Sequence, residues 1–346
     1  MTQAVALAQQ ASTGVSQGFK NRIINGAMVI DQRNAGASIT VSSGTNFNVD
    51  RFKSSNQTTA VVTLQQVSDA PIGFVNSSKF TVTTADSSIG STEICYIAQL
   101  IEGFNVADLG WGTANAKTVT LSFWIKSSIT GLMGGAISNT VRSYPYSYTI
   151  NSANTWEYKT VTIAGDTSGT WNTTNSIGMV VYFNIGCGTD YLNTPGVWVT
   201  AEDFGPTGQV NVISTLNATW QVTGVQLEVG STATSFDYRP YGTELQLCQR
   251  YFEAGSFWRE GTNAANGNFC VFSLPFLVQK RANATFTYGN VGGANAGVAS
   301  IQGPEAIYEW ISPYDQTNSR TGFAFRFVTN NATSTIRQYF TASAEL

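Results

Sequence analysis

The sequence predicts an all-β chain, with a large antiparallel jelly-roll β-sandwich followed by a short helix and a smaller C-terminal β-sandwich domain. Three observations predict it. Apolar residues recur at every second position through the middle of the chain, and clusters of Gly, Asn, Asp, Thr and Pro interrupt those runs at short intervals. Charged residues are only 11% of 346, while aromatics reach 12% and glycine supplies 33 positions. An ordinary soluble domain carries roughly 25% charge. The surface must therefore be wetted mainly by Thr, Ser, Asn and Gln, which suits an extracellular or particle-bound β protein.

Each element follows from its residues. In "KTVTLSFWIKSS", Val119, Leu121, Phe123 and Ile125 share one face, and Thr120, Ser122, Trp124 and Lys126 share the other. In "SIGMVVYFNIG", Ile177, Met179, Val181, Phe183 and Ile185 oppose Gly178, Val180, Tyr182 and Asn184. "TGVQLEVG" turns Val225, Leu227 and Val229 inward, and "EYKTVTIAG" turns Val161 and Ile163 inward against Thr160 and Thr162. Turn chemistry at 42–46, 165–170, 186–190 and 204–209 separates such strands. Strands with one apolar face are satisfied by stacking two sheets, so residues 22–242 read as the sandwich. No fixed-period repeat points to a propeller or β-helix.

At "YGTELQLCQRYFEAG", Thr243 and Gln246 have capping-box spacing, and Leu245, Cys248, Gln249 and Phe252 have helical spacing. A short linking helix over 243–253, within a 243–255 connector, follows. Strand patterning resumes in 256–346, where Phe323, Phe325 and Phe327 alternate. Residues 1–21 are read as an attachment segment.

Composition excludes several classes of function. With no histidine, Ser-His-Asp triads, Cys-His dyads and imidazole metal sites fall away. A net charge of −3 offers no basic footprint for nucleic acid. Cys95, Cys187, Cys248 and Cys270 are widely spaced, so buried free thiols are the plain reading and an isolated disulfide the other. No glycine-rich cradle precedes a helix, and no cofactor or metal is expected. The opening residues lack a secretion signal, and no run of about 18 apolar residues would insert in a membrane. Work outside a cell then requires lysis or carriage on a particle.

"NRIINGAMVIDQRNAG", "NVDRF", "QLIEGFNVADLGWGTANAKTVTLSFWIKSS", "ANTWEYKTVTIAGDTSGTW" and "VQLEVGSTATSFDYRPYGTELQLCQRYF" together resemble a recurrent module of tailed-bacteriophage virion proteins, chiefly tail fibres and receptor-binding proteins. The middle pieces also resemble carbohydrate-binding modules of jelly-roll type. The resemblance spans about residues 20–255. It implies a virion location on the tail and a homotrimer that contacts host surface polysaccharide. It also implies attachment to other virion proteins through the N-terminal segment. The first and last pieces are expected to be the first and last strands of one sandwich. Arg51 or Arg239 is expected near Asp31, Asp50 or Asp237, either pinning that closure or lying exposed.

Tyr144, Tyr146 and Tyr148 recur at alternate positions beside Arg142, which suits stacking on sugar faces, a subunit interface or core packing. Packing is ranked first, yet Tyr146→Ala is expected to spare folding and to weaken adhesion or assembly. Trp171 and Trp198, in or beside polar loops, are the next candidate contacts. Trp124, Trp156 and Trp220, within strands, are read as packing. Asp190, Glu202 and Asp203 form the one acidic cluster relevant to a two-carboxylate depolymerase. Solvated loop acids are the plainer reading, with calcium ligation after it. The first functional reading is a non-enzymatic adhesin. The alternatives are a capsid-decorating or head-fibre protein and a carboxylate-dependent polysaccharide depolymerase.

Overall fold

Alternating apolar positions turn inward between two stacked six-stranded antiparallel sheets, except Val229, which is 43% exposed, and Ile177, which a register shift before Met179 sets against the outer-face cluster. The computed structural model describes residues 19–262, 269–289, 300–302, 320–328 and 333–346. The first sheet runs β1 (Ile39–Val41), β4 (Val61–Val67), β5 (Ser77–Thr84), β14 (Thr219–Val229), β7 (Val119–Ser127) and β10 (Glu157–Ile163). The second runs β2 (Gly44–Phe47), β3 (Lys53–Asn56), β6 (Ile94–Glu102), β11 (Ile177–Cys187), β8 (Gly131–Ser138) and β9 (Ser143–Ile150). Phe80, Leu121, Phe123, Trp220 and Leu227 from the first sheet meet Ile97, Met133, Tyr146, Val181 and Phe183 from the second in one core.

Strand β11 departs from the one-faced reading. Met179, Val181, Phe183 and Ile185 face the main core, but Val180 and Tyr182 are buried too, beneath Phe204 with Tyr191 and Leu192 packed alongside. The loop that follows, with the short parallel pair β12 (Leu192–Asn193) and β13 (Gly205–Pro206), covers the outer face. A second region of the outer surface, on the first sheet, is built over by two further connections, 68–76 and 230–240.

The "NRIING" piece is not a strand; the first strand begins at Ile39. Residues 21–30 are coil and turn held by side chains instead. Asn21 accepts from Ile23 N and Leu227 N and donates to Val225 O at 3.0 Å. Asn25, at φ +60°, donates to Ile30 O and Asp50 O. Close approach explains Gly26, where a Cβ would stand 2.1 Å from Val225 O. A ladder cannot form because these amides are already spent on side chains and on a bulge.

Helix α1 spans Tyr241–Gln249, two residues earlier than the spacing predicts, and no side chain caps it. Pro240 sets its start, since its fixed φ suits helix entry. The chain then turns at Tyr251 into β15 (Phe252–Thr262). β15 pairs with β20 (Thr333–Ser343), which also pairs with β17 (Thr285–Gly289) and β18 (Ser300–Gln302). β16 (Phe269–Pro275) pairs with β19 (Gly322–Val328). The side chains of Phe323, Phe325, Phe327 and Cys270, and residues 1–18, lie outside the described residues. Cys95, Cys187 and Cys248 are buried free thiols.

The charge pairs expected at the closure have other partners. Arg239 pairs with Glu244 and donates to Ile23 O, and Arg51 pairs with Glu345. Asp237 accepts from the backbone of Lys20 and Asn21, while Asp31 caps the turn at Asn34 and Gly36. Asp50 is the exception in part, held by Gln32 and by Arg33 at 3.4 Å. Backbone donors outnumber guanidinium groups at this closure, so its carboxylates serve amides first.

Candidate functional site

The outer face of the first sheet carries an open groove of about 580 Å³. Its floor begins with Ser122 and Trp124 on β7, and Tyr158 lies directly across on β10. The Trp124 and Tyr158 rings sit 5.3 Å apart, tilted by 48°. Phe74, Phe236 and Tyr238 form the opposite wall, with centroids 4.8–5.5 Å apart. Ala233, Thr234 and Ser235 finish the rim. Tyr158 is 44% exposed and Tyr238 58%, so both offer ring surface to solvent.

The two end pieces of the sequence build this wall. β14 bulges between Thr223 and Gln226, and the bulged Val225 is hooked to the coil by its amide on Gly26 O and by Asn21 on its carbonyl. Gly224, at φ +62°, makes room for the Phe74 ring, since a Cβ there would fall 2.6 Å from it. Gln226 accepts from Asp237 N at 2.7 Å, and Tyr238 donates to Gly73 O at 2.6 Å. Phe236 and Tyr238 are thereby fixed from both sides. Beyond the groove, Lys126 pairs with Asp69 and lies over Trp156, whose indole N–H also donates to Asp69.

The residues singled out in the sequence lie elsewhere. Tyr144, Tyr146 and Tyr148 point into the main core; Tyr146 is 1% exposed and donates to Tyr182 O at 2.6 Å. Burial holds the Tyr146 hydroxyl well above the usual phenol range, so it stays a donor. The row therefore presents no ring face to a ligand, and the expectation that Tyr146→Ala spares folding is corrected. Arg142 forms a two-pronged ion pair with Asp166, at 2.7 and 3.0 Å, and Asp166 also accepts from the Trp171 indole. Trp171 and Trp198 stack edge-on with Trp111, and Trp198 meets Tyr144. Four of the six residues thus converge, but into a packed corner. The crevice beside Trp111 and Trp171 holds about 10 Å³, barely the room of one water.

Trp220 is buried in the core as expected, whereas Trp124 is not: it lines the groove. Its signal was present in the sequence, since it shares a face with Ser122 and Lys126. The acidic cluster is dispersed. Asp203 is buried against Ser143 and Asn193, Glu202 approaches the Tyr182 hydroxyl, and Asp190 accepts from Ser91. Burial raises the Glu202 carboxyl above its ordinary range. Among the described residues no group of three His, Cys, Asp or Glu side chains stands together, and no helix is long and apolar enough to cross a membrane.

No family model matches the chain, and no curated protein matches it. Solved structures with some similarity include a putative sugar binding protein from Bacteroides thetaiotaomicron, 11% identical over 61% of this chain and all of that one, with a TM-score of 0.36. A family 11 carbohydrate-binding module from Clostridium thermocellum, in complex with a mixed-linked tetrasaccharide, is 15% identical over 57% of this chain and 98% of its own, with a TM-score of 0.28. A chain of Sulfolobus Turreted Icosahedral Virus is 11% identical over 92% of this chain and 86% of its own, with a TM-score of 0.20.

Proposed function

We propose that this chain is a non-enzymatic adhesin of a tailed-phage virion, a tail fibre or receptor-binding subunit that contacts host surface glycan through the groove on the first sheet. The observation that carries the reading is the groove itself: exposed aromatic rings over a hydroxyl-bearing floor. Aromatic rings pack against the C–H faces of sugars while polar edges bond their hydroxyls. The phage assignment rests on the sequence resemblance. In this reading 22–242 form the binding sandwich, 243–255 the link and 256–346 a second β domain. Residues 1–21 join other virion proteins. A homotrimer makes weak sites sufficient, because tethered copies gain avidity without new contacts.

Trp124→Ala tests the site. Its ring packs on an exposed face, so the sandwich remains folded while glycan binding and host adsorption fall about tenfold or more, as loss of about 1.4 kcal/mol implies. Unchanged binding on a glycan array together with unchanged adsorption overturns the site. Exposed Ile72, Val75 and Tyr241 favour the second reading, a head-fibre or capsid-decorating subunit, since such a patch suits assembly. Antibody-labelled virions imaged by electron microscopy separate head from tail. Release of reducing ends from host polysaccharide would instead support the depolymerase.

A further inference from the structure

We propose that Lys20 is a positioning residue of the groove, and that it couples the N-terminal segment, which it adjoins, to glycan binding. The inference rests on the glycan-binding reading above and names a control on that same site. The Lys20 ammonium donates to Thr234 Oγ1 at 2.5 Å and to Ser235 O at 2.7 Å, and both of these residues line the groove. Lys20 itself does not line it. It acts on a ligand through the rim.

The rim is exposed at Thr234 and Ser235, and side chains hold it there. Glu228, itself buried, accepts from the Thr234 amide at 2.8 Å and from its hydroxyl at 2.6 Å. With its proton spent on Glu228, the hydroxyl receives the Lys20 ammonium on a lone pair, so it joins a buried carboxylate to a cation from the far end of the sequence. Charge-assisted bonds of this kind are stronger than neutral ones. The backbone around Lys20 is fixed to the same stretch: Asp237 accepts from Lys20 N at 3.0 Å and Asn21 N at 3.2 Å, and Arg239 donates to Asn21 O and Ile23 O. The Arg239 guanidinium also lies 4.9 Å from the centre of the Phe19 ring. Residues 19–23 thus form a strap on 234–239, the stretch that supplies Thr234, Ser235, Phe236 and Tyr238 to the groove. Drawing Lys20 off the rim frees Thr234 and Ser235. By linkage, a saccharide that fixes the rim holds the strap more firmly, and engagement of the attachment segment and occupancy of the groove then influence each other.

The experiment uses the full chain, with Lys20→Met, which keeps the apolar stem and loses the ammonium, beside Lys20→Arg, which keeps a cation. Amide hydrogen exchange, a thermal melt and calorimetric titration with cellotriose, maltotriose, mannotriose and galactotriose are the readouts. Lys20→Met is expected to melt within about 2 °C of wild type. Its amides at 234–238 exchange about tenfold faster while those of β7 and β11 are unchanged, and it binds the tightest probe about three- to tenfold more weakly. Lys20→Arg stays within about twofold of wild type. In the wild type that probe is expected to slow exchange at the Lys20 and Asn21 amides, which lie outside the groove. Unchanged rim exchange in Lys20→Met, or a fall in melting temperature of more than about 5 °C, overturns the positioning role. Faster rim exchange with undiminished affinity, or no protection of Lys20 and Asn21 by the probe, overturns the coupling. Binding of no saccharide here or on a broad glycan array removes the glycan reading and the coupling with it, while the exchange comparison still decides whether Lys20 holds the rim.

Discussion

Tyr146 carries a phenol into the space between the sheets, where it meets Phe183 edge-on and spends its one proton on Tyr182 O. The ring therefore contributes both packing and a satisfied polar group. Tyr146→Ala removes both, and the cost is about 3 to 5 kcal/mol, the range for truncating a large buried aromatic. Urea denaturation measures it; a loss below about 1 kcal/mol would mean that the ring is not enclosed. Trp124 is the reverse case, a large ring only partly buried on the outer face. Its alternation with Ser122 and Lys126 made the outward position legible. The burial of Tyr144, Tyr146 and Tyr148 was not legible in the same way, because every residue of "SYPY" is buried and polar neighbours no longer mark the wet side.

At the scale of elements, the β14 bulge ties the groove to the sandwich. One extra residue, placed between Thr223 and Gln226, lets Gly224 adopt a left-handed backbone and lets Phe74 settle over it. Gly224→Ala meets both constraints at once. An L side chain at positive φ costs about 1 to 2 kcal/mol, and its methyl displaces the Phe74 ring from the groove wall. The expected outcome is a lower melting temperature together with weaker saccharide binding. A variant with an unchanged melting curve and unchanged affinity would show that the bulge does not set the wall. The positions of β7, β10, β11 and β14 were readable from alternation alone, whereas the turn expected at 42–46 runs into β2. The helix start was displaced because Pro240, not Thr243, controls entry, and the first end piece failed to become a strand because Asn21 and Asn25 satisfy the backbone locally, whereas the last piece opens in β14 as expected.

Across the whole molecule, the end of the chain is joined to the sandwich by buried charge. Glu345 pairs with Arg33 and Arg51, Arg51 lies 3.5 Å over the Tyr251 ring, and Arg250 and Tyr251 both bond Glu102. Asp50 sits in this network, and burial, with Glu345 adding to it, pushes its carboxyl up to about 6 despite Arg33 and Gln32. A carboxyl whose pKa is higher folded than unfolded stabilises the fold below its unfolded pKa and loses that contribution as pH rises through about 6. Relative to Asp50→Asn, the wild type should therefore gain about 2 kcal/mol between about pH 7 and pH 4. Parallel denaturation curves at those pH values check it; an equal pH dependence in both proteins would refute the shift. The sequence by itself determined the class of the protein, because a period of two and frequent turns admit little besides stacked antiparallel strands. It also removed histidine chemistry by composition. Tertiary structure decided which faces stayed wet. Alternation divides a strand into two sides, but the loops that covered the outer side of β11 and left Trp124 and Tyr158 open come from distant parts of the chain, held there by hydrogen bonds that no local pattern encodes.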